Sequence, residues 1–205
     1  MILCDIGNTS YHFLEEYKEY KESVESFKPS DIDYIIYYIS VNKNVSEKLR
    51  LLQNWIDISS YIDKSNYYET MGIDRIFSCE AVENSIVIDA GSAITIDVVK
   101  NSQFMGGFIY PGVRAMSETY KNISPALDYS FNFDLELDIM PKNSQDAISY
   151  GFLKTLFSEV SSYDMPIILT GGDASSLQKV FKTATIDNEL IFKGMKKIIK
   201  KAKLC

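Results

Sequence analysis

Two short segments of this chain place a carboxylate two residues ahead of a glycine and follow the glycine with small polar side chains. Asp5-Ile6-Gly7-Asn8-Thr9-Ser10 is the first, and Asp89-Ala90-Gly91-Ser92 repeats it at an offset of 84 residues. A phosphate chain needs backbone N–H groups that can come close, which glycine permits, and small hydroxyl or amide donors beside them. The cation that travels with phosphate takes a carboxylate at a strand end, directly or through water. Gly7, Asn8 and Thr9 with Asp5, and Gly91 and Ser92 with Asp89, supply both requirements. Either segment alone reads first as an ordinary hairpin turn. Repetition at matching places points to nucleotide binding.

The surrounding elements repeat too. Ile2 to Ile6 is a short apolar strand, Tyr11 to Leu14 its return, and Tyr17 to Ser26 a further strand. Asp33 to Val41 is a continuous apolar run, expected to be a strand covered on both faces. Val45, Leu49, Leu52 and Ile56 fall on one face of a helix. Asp74 stands where an N-cap would, ahead of a short helix ending near Val82. At Ser85 the pattern restarts, with a strand through Ile88 and an apolar return from Ile94 to Val99. Gly106 to Gly112 leads from a strand into a helix through Tyr120, and residues 121–141 are irregular. Ile148, Phe152, Leu156 and Val160 mark a helix, Pro166 to Leu169 a strand, and Thr170-Gly171-Gly172 a turn. A helix then begins at Asp173 or Ser175, and Ile191, Met195, Ile198 and Ala202 define a closing one. The pattern predicts an α/β fold of two similar lobes with mixed sheets, residues 1–84 and 85–205. Lobes of one design commonly face each other across a ligand-binding cleft.

Composition narrows the classes. At 205 residues, 46% hydrophobic and 24% charged, the chain is neither disordered, collagen-like nor a disulfide scaffold. Twenty-one basic against 28 acidic residues leave a net charge of −7, which argues against nucleic acid or anionic membrane as a partner. Cys4, Cys79 and Cys205 show no metal spacing, and His12 is the only histidine, so histidine-built triads and metal sites are nearly excluded. With no 18-residue apolar run and no basic leader, a cytoplasmic location is expected.

Taken together, the duplicated turns resemble those of the acetate and sugar kinase, heat-shock chaperone and actin superfamily. Within it the chain resembles a type III pantothenate kinase. The match is carried by Asp5 to Thr9, Gly72-Ile73-Asp74-Arg75, Asp89 to Asp97, Gly106 to Gly112, Ser144 to Gly151 and Thr170-Gly171-Gly172, in family order. The resemblance implies two ribonuclease H-like lobes flanked by helices, an actin-like ATPase architecture. It also implies γ-phosphoryl transfer from ATP to pantothenate, with magnesium, a potassium or ammonium ion, and a homodimer. Carried over by position, Asp5, Ile6, Gly7, Asn8, Thr9 and Ser10 form the first phosphate loop, Ser92 contacts ATP and Asp89 ligates the monovalent cation. Gly72, Ile73, Asp74 and Arg75 contact pantothenate, with Asp74 as proton acceptor, and Tyr68 and Ser144 are further substrate contacts. Thr170 to Gly172 falls near the adenosine. A nucleotide-binding regulator of the same fold is the alternative, although it would be expected to have lost Asp74 or a turn carboxylate.

Several of these residues have a second, plainer role. Asp74 can cap a helix, worth about 1 kcal/mol, and also accept a proton from an attacking hydroxyl. Arg75 can meet a carboxylate or phosphate, or sit solvated. Ser144 can cap the helix at Asp146, and a Tyr67–Tyr68 pair can serve packing alone. Ser92 and Ser144 stand where the family more usually has threonine, keeping the hydroxyl. His12 is expected to be a strand residue with a local partner, and Asp97 an ordinary strand acid that can approach a metal through water. Cys4 and Cys79 read as small buried hydrophobes. The closing lysines, from Lys193 to Lys203, form a solvated helix face.

Overall fold

The computed structural model describes residues 1–204, so Cys205 lies outside the described residues. The chain forms two compact units. One comprises Met1–Val82 with the residues from Glu189 onward, and the other Glu83–Asn188. The expected lobes, 1–84 and 85–205, differ from this mainly at the closing helix.

In the first unit, strands β1 (Ile2–Ile6), β2 (Ser10–Glu15), β3 (Lys18–Ser23), β4 (Ile36–Ser40) and β5 (Trp55–Asp57) make a sheet of order β3-β2-β1-β4-β5. β1 runs antiparallel to β2 and parallel to β4. The second unit repeats the plan. β6 (Ser85–Ala90), β7 (Ala93–Lys100), β8 (Gln103–Pro111), β9 (Ile167–Thr170) and β10 (Thr185–Ile186) form a sheet of order β10-β9-β6-β7-β8. β6 is antiparallel to β7 and parallel to β9, as β1 is to β2 and β4. The duplicated turns therefore join the same two strands in each sheet. The two-lobe mixed α/β class expected from the pattern is the one observed.

Alternation along the strands separates two faces of each sheet. Ile2, Cys4, Ile6, Tyr11, Phe13, Ile36 and Tyr38 cluster on one face of the first, closed by Val45, Leu49 and Trp55. Leu3 and Ile39, fully buried, belong to the other face. Helices α2 (Ile73–Glu80) and α6 (Leu190–Ala202) pack together within this unit. The crossing is close: a β-carbon on Gly194 would overlap the Phe77 carbonyl. That approach, and the fully buried Phe192 and Met195, draw the last helix to the first unit instead of the second. In the second unit Ile86, Ile88, Ala90, Ile94 and Ile96 pack against Phe152, Leu153, Leu156 and Val160 of α4 (Ser144–Ser161) and Leu177 of α5 (Ala174–Val180).

Two local expectations change. Helix α1 spans only Lys43–Leu49, and Ile56 lies in β5. The Asn54 side chain donates to the Ile32 and Tyr34 carbonyls, and the Asn54 main-chain carbonyl accepts from Ile36 N, which turns the chain into a parallel strand beside β4. Likewise β4 starts at Ile36, since β1 begins at Ile2, opposite it; Tyr34 and Ile35 find no strand partner there and stay exposed.

Candidate functional site

The first corner follows β1. Asp5 is its penultimate residue, partly exposed, with His12 of β2 and Ile39 of β4 as register neighbours. Gly7 N donates to the Ser10 carbonyl at 3.0 Å, closing the turn, and leaves Asn8 and Thr9 exposed. From the strand-end loop beside it, Val41 N donates to the Ile6 carbonyl at 3.0 Å and Asn42 Nδ2 to the Asn8 carbonyl at 3.4 Å. Ile6 itself points into the core, so it offers the corner only main-chain atoms. Ser10 opens β2 and is half-buried.

The second corner is tighter. Gly91 N donates to the Ala93 carbonyl at 3.0 Å, so this turn is one residue shorter than the first. Asp89 is again penultimate in its strand and partly exposed, and Ser92 is exposed. Asp173 N donates to the Ala90 carbonyl at 2.9 Å, the counterpart of the Val41–Ile6 bond. Two glycines bring other segments onto this corner. Gly171, at φ +88°, lies where a β-carbon would overlap Asp89 Oδ1 and sit 2.7 Å from the Ala90 carbonyl group. Gly112 donates its N–H to the Ser92 carbonyl at 3.2 Å, and a β-carbon there would overlap the main-chain oxygens of Gly91 and Ser92.

Register places hydroxyls on both sides of Asp89. Thr95 of β7 and Thr170 of β9 are its direct neighbours, and such pairs project to one face. The first corner has His12 and Ile39 at these places. Thr95 Oγ1 is buried and has no hydrogen-bond partner among the described residues. Sequence reading missed Thr95, although a three-residue hairpin after Ala90 would have put it opposite Asp89. One partly exposed carboxylate with hydroxyl and main-chain oxygens nearby is hard-oxygen chemistry, suited to magnesium or potassium.

A third cluster starts α2. The N-cap is Gly72, not Asp74, and Asp74 lies in the first turn, where an acid suits the helix N-terminus. Asp74 Oδ1 accepts from Arg75 N at 2.8 Å. Gly72 leaves the space, because a β-carbon there would overlap that same oxygen. Arg75 is only 6% exposed, and its Nη1 donates to Tyr68 Oη at 2.5 Å with the guanidinium carbon 5.7 Å from the Tyr68 ring centre. The fold thus brings Tyr68, Gly72, Ile73, Asp74 and Arg75 together. Ser144 opens α4 in the second unit, exposed, and Asn143 caps that helix by accepting from Asp146 N at 2.9 Å.

Elsewhere, His12 Nε2 lies 2.8 Å from Glu19 Oε2, and its ring meets Phe192 edge-on at 4.8 Å. Burial lowers its pKa, helped by Lys21 and opposed by Glu19. Burial raises that of the Cys4 thiol, with Asp5 adding to it. A separate cavity of about 620 Å³ in the second unit is lined by Leu135, Phe157, Ile167 and Phe181 among others; Ile167 starts β9, at the strand end away from Gly171. No helix among the described residues is long and apolar enough to cross a membrane.

The type III pantothenate kinase family model matches residues 15–163. A type III pantothenate kinase of Sulfurimonas denitrificans is 60% identical over 205 residues, covering all of both chains. The chain belongs to the type III pantothenate kinase family. A second type III pantothenate kinase, from Campylobacter jejuni, is 40% identical over 202 residues, 98% of this chain and 97% of that one. A solved Campylobacter jejuni structure described as of the Baf family of transcriptional activators is 38% identical, covers 100% of both chains and superposes with a TM-score of 0.89. Both glycine corners lie within the full-length matches, while Asp5 to Ser10 and Thr170 to Gly172 fall outside the span of the family model.

Proposed function

We propose that this chain transfers the γ-phosphoryl group of ATP to the primary hydroxyl of pantothenate, giving 4′-phosphopantothenate, the first step of coenzyme A synthesis. The observation that carries this reading is the Tyr68–Arg75–Asp74 cluster, a buried guanidinium beside a first-turn carboxylate, in a chain of this kinase family with two duplicated glycine corners.

In this reading the main-chain N–H groups around Asn8, Thr9 and Ser92 hold phosphate oxygens, and the side chains of Asn8, Thr9, Ser10 and Ser92 donate beside them. Asp89, with Thr95 and Thr170 as its register neighbours, would hold a potassium or ammonium ion. Asp5 would hold magnesium directly or through water, and that ion would supply neutralisation of the triphosphate charge. Arg75 pairs with the pantothenate carboxylate, and Tyr68 accepts a hydrogen bond from that guanidinium. Gly72 and Ile73 lie along the acceptor, and Ser144 is a further contact to it. Asp74 receives the proton of the attacking hydroxyl. Because phosphoryl transfer passes through a loose transition state, orienting that hydroxyl is the larger part of its task. The enzyme works in the cytoplasm as a homodimer.

The test is ADP release, coupled to a reporter enzyme, with pantothenate, simple sugars or acetate as acceptor. Pantothenate alone should release ADP, and light scattering should give twice the chain mass. A nucleotide-binding regulator is the second reading, favoured by the description of the Campylobacter structure. It predicts ATP binding with no ADP release from any acceptor. The net charge of −7 weighs against a DNA-bound form of it.

A further inference from the structure

Tyr68 sits in a mostly exposed loop whose main-chain bonds are local, Tyr67 N donating to the Lys64 carbonyl and Met71 N to the Tyr68 carbonyl, each at 3.0 Å. Ile62 and Met71 are buried at its two ends, and among the described residues 63–70 every one is exposed except Tyr67. Tyr67 Oη donates to Glu80 Oε1 at 3.0 Å, across 13 residues of chain. Glu80 is the last residue of α2, the helix that carries Asp74 and Arg75 near its start. Its position is fixed from the other side as well: Lys197 Nζ of α6 donates to the Glu80 carbonyl at 2.7 Å, and Gly194 lets α6 lie directly on Phe77.

The loop is thus attached to α2 at two adjacent residues and at both ends of the helix. Tyr67 is tied to the C-terminal end and Tyr68 to Arg75 near the N-terminal end. Ordering an exposed loop costs backbone entropy for each residue held. The tyrosine–guanidinium contact, made by a side chain 44% exposed, is helped against that cost by the tie at Tyr67. The Tyr67–Glu80 bond is charge-assisted and therefore stronger than a neutral one.

We infer that Tyr67 and Glu80 form a clasp that holds Tyr68 over Arg75, making both of them positioning residues for the acceptor substrate. Neither need touch pantothenate. Their effect is on how well Arg75 is presented to a carboxylate, and so on acceptor affinity, not on nucleotide affinity or the chemical step. This inference rests on the assignment of Tyr68 and Arg75 to the acceptor site.

The experiment compares wild type, Tyr67→Phe, Glu80→Ala, Glu80→Gln and the Tyr67→Phe/Glu80→Ala double variant. Steady-state kinetics are run on each, with hydrogen exchange of the amides of residues 63–71. Tyr67→Phe keeps the ring and removes only the hydroxyl. It should raise the pantothenate KM about 3- to 10-fold, leave kcat and the ATP KM within about twofold, and speed exchange in the loop; the range lies below the cost of a lost charged hydrogen bond because the bond acts on Arg75 only through the loop. Glu80→Ala should do the same. Glu80→Gln keeps an acceptor oxygen but loses the charge, so it should fall between wild type and Glu80→Ala, and the double variant should be no worse than the poorer single. A wild-type pantothenate KM in Tyr67→Phe overturns the clasp, as does a loss spread evenly over both substrates and kcat. Faster exchange without a change in KM also overturns it. A wild-type protein that releases no ADP with pantothenate sinks the acceptor assignment itself, and the two failures are told apart by that control.

Discussion

Gly171 lies against Asp89 so closely that no β-carbon fits between them. The contact follows from register. Thr170 pairs with Asp89 across the parallel β9–β6 ladder, so the residue after it must pass the carboxylate as the chain leaves the sheet. With φ at +88°, Gly171 also holds a backbone conformation that other residues adopt only with strain. The carboxylate therefore stands between threonines on the two neighbouring strands, with the Gly171 main chain against it.

Gly171→Ala should destabilise the protein by about 1–3 kcal/mol, the usual cost of a strained backbone site. It should also weaken ATP binding, because Asp89 must move. Gly172→Ala is the control for stability: a β-carbon there meets nothing within 4 Å, and the melting temperature should stay near wild type. Thermal melts and calorimetric ATP titration measure the two effects, and equal melting of the two variants would detach Gly171 from the corner.

Thr95→Val removes a buried hydroxyl that has no partner among the described residues. Stability should hold or rise slightly, since an unsatisfied buried polar group is costly. If the hydroxyl serves the cation at Asp89, the potassium concentration for half-maximal activity should rise several-fold, and Thr95→Ser should restore it. A potassium titration unchanged by valine would place the hydroxyl outside the cation site.

Asp74→Asn keeps the oxygen that accepts from Arg75 N, so the start of α2 should survive and the melting temperature should barely change. Turnover should fall by about 10²-fold or more, the range for loss of a general base, with pantothenate binding largely kept. Full turnover in this variant would remove Asp74 from the mechanism.

Arg75→Lys retains the charge but loses the planar fork that reaches Tyr68 Oη, with the guanidinium carbon 5.7 Å from its ring centre. The pantothenate KM should rise about tenfold while the ATP KM stays. An unchanged pantothenate KM would mean that Arg75 serves the fold alone.

His12 gives the pH dependence of stability a sign. Burial, the larger cause, lowers its folded pKa below the unfolded value of 6.5. The unfolded chain then takes up a proton before the folded one does. Stability attached to the neutral ring is complete above about pH 6.5 and declines as pH falls from there toward the lower folded pKa. Melts between pH 8 and 5 should show this slope in wild type, and His12→Gln should flatten it. A slope identical in both proteins would assign it to carboxylates instead.

Much of this was legible in the residues themselves. The spacing Asp5-x-Gly7 and Asp89-x-Gly91, with β-forming runs on either side, dictated two hairpins of one design, because turn chemistry and alternation act over a few residues. Helices α4 and α6 announced themselves through apolar stripes of helical period. Other features depended on partners distant in sequence. Leu52 and Ile56 continue the α1 stripe, yet Asn54 bonds to the start of β4 and pulls Trp55–Asp57 into the sheet. The closing helix has no sequence mark of its unit, and joins the first one because Gly194 admits it to the Phe77 backbone. Thr95 beside Asp89, and Tyr67 tied to Glu80, likewise arise from strand register and loop path. Local physics selects an element from its own residues. Which side chains share a site is decided by packing, whose energy belongs to pairs that the linear chain keeps apart.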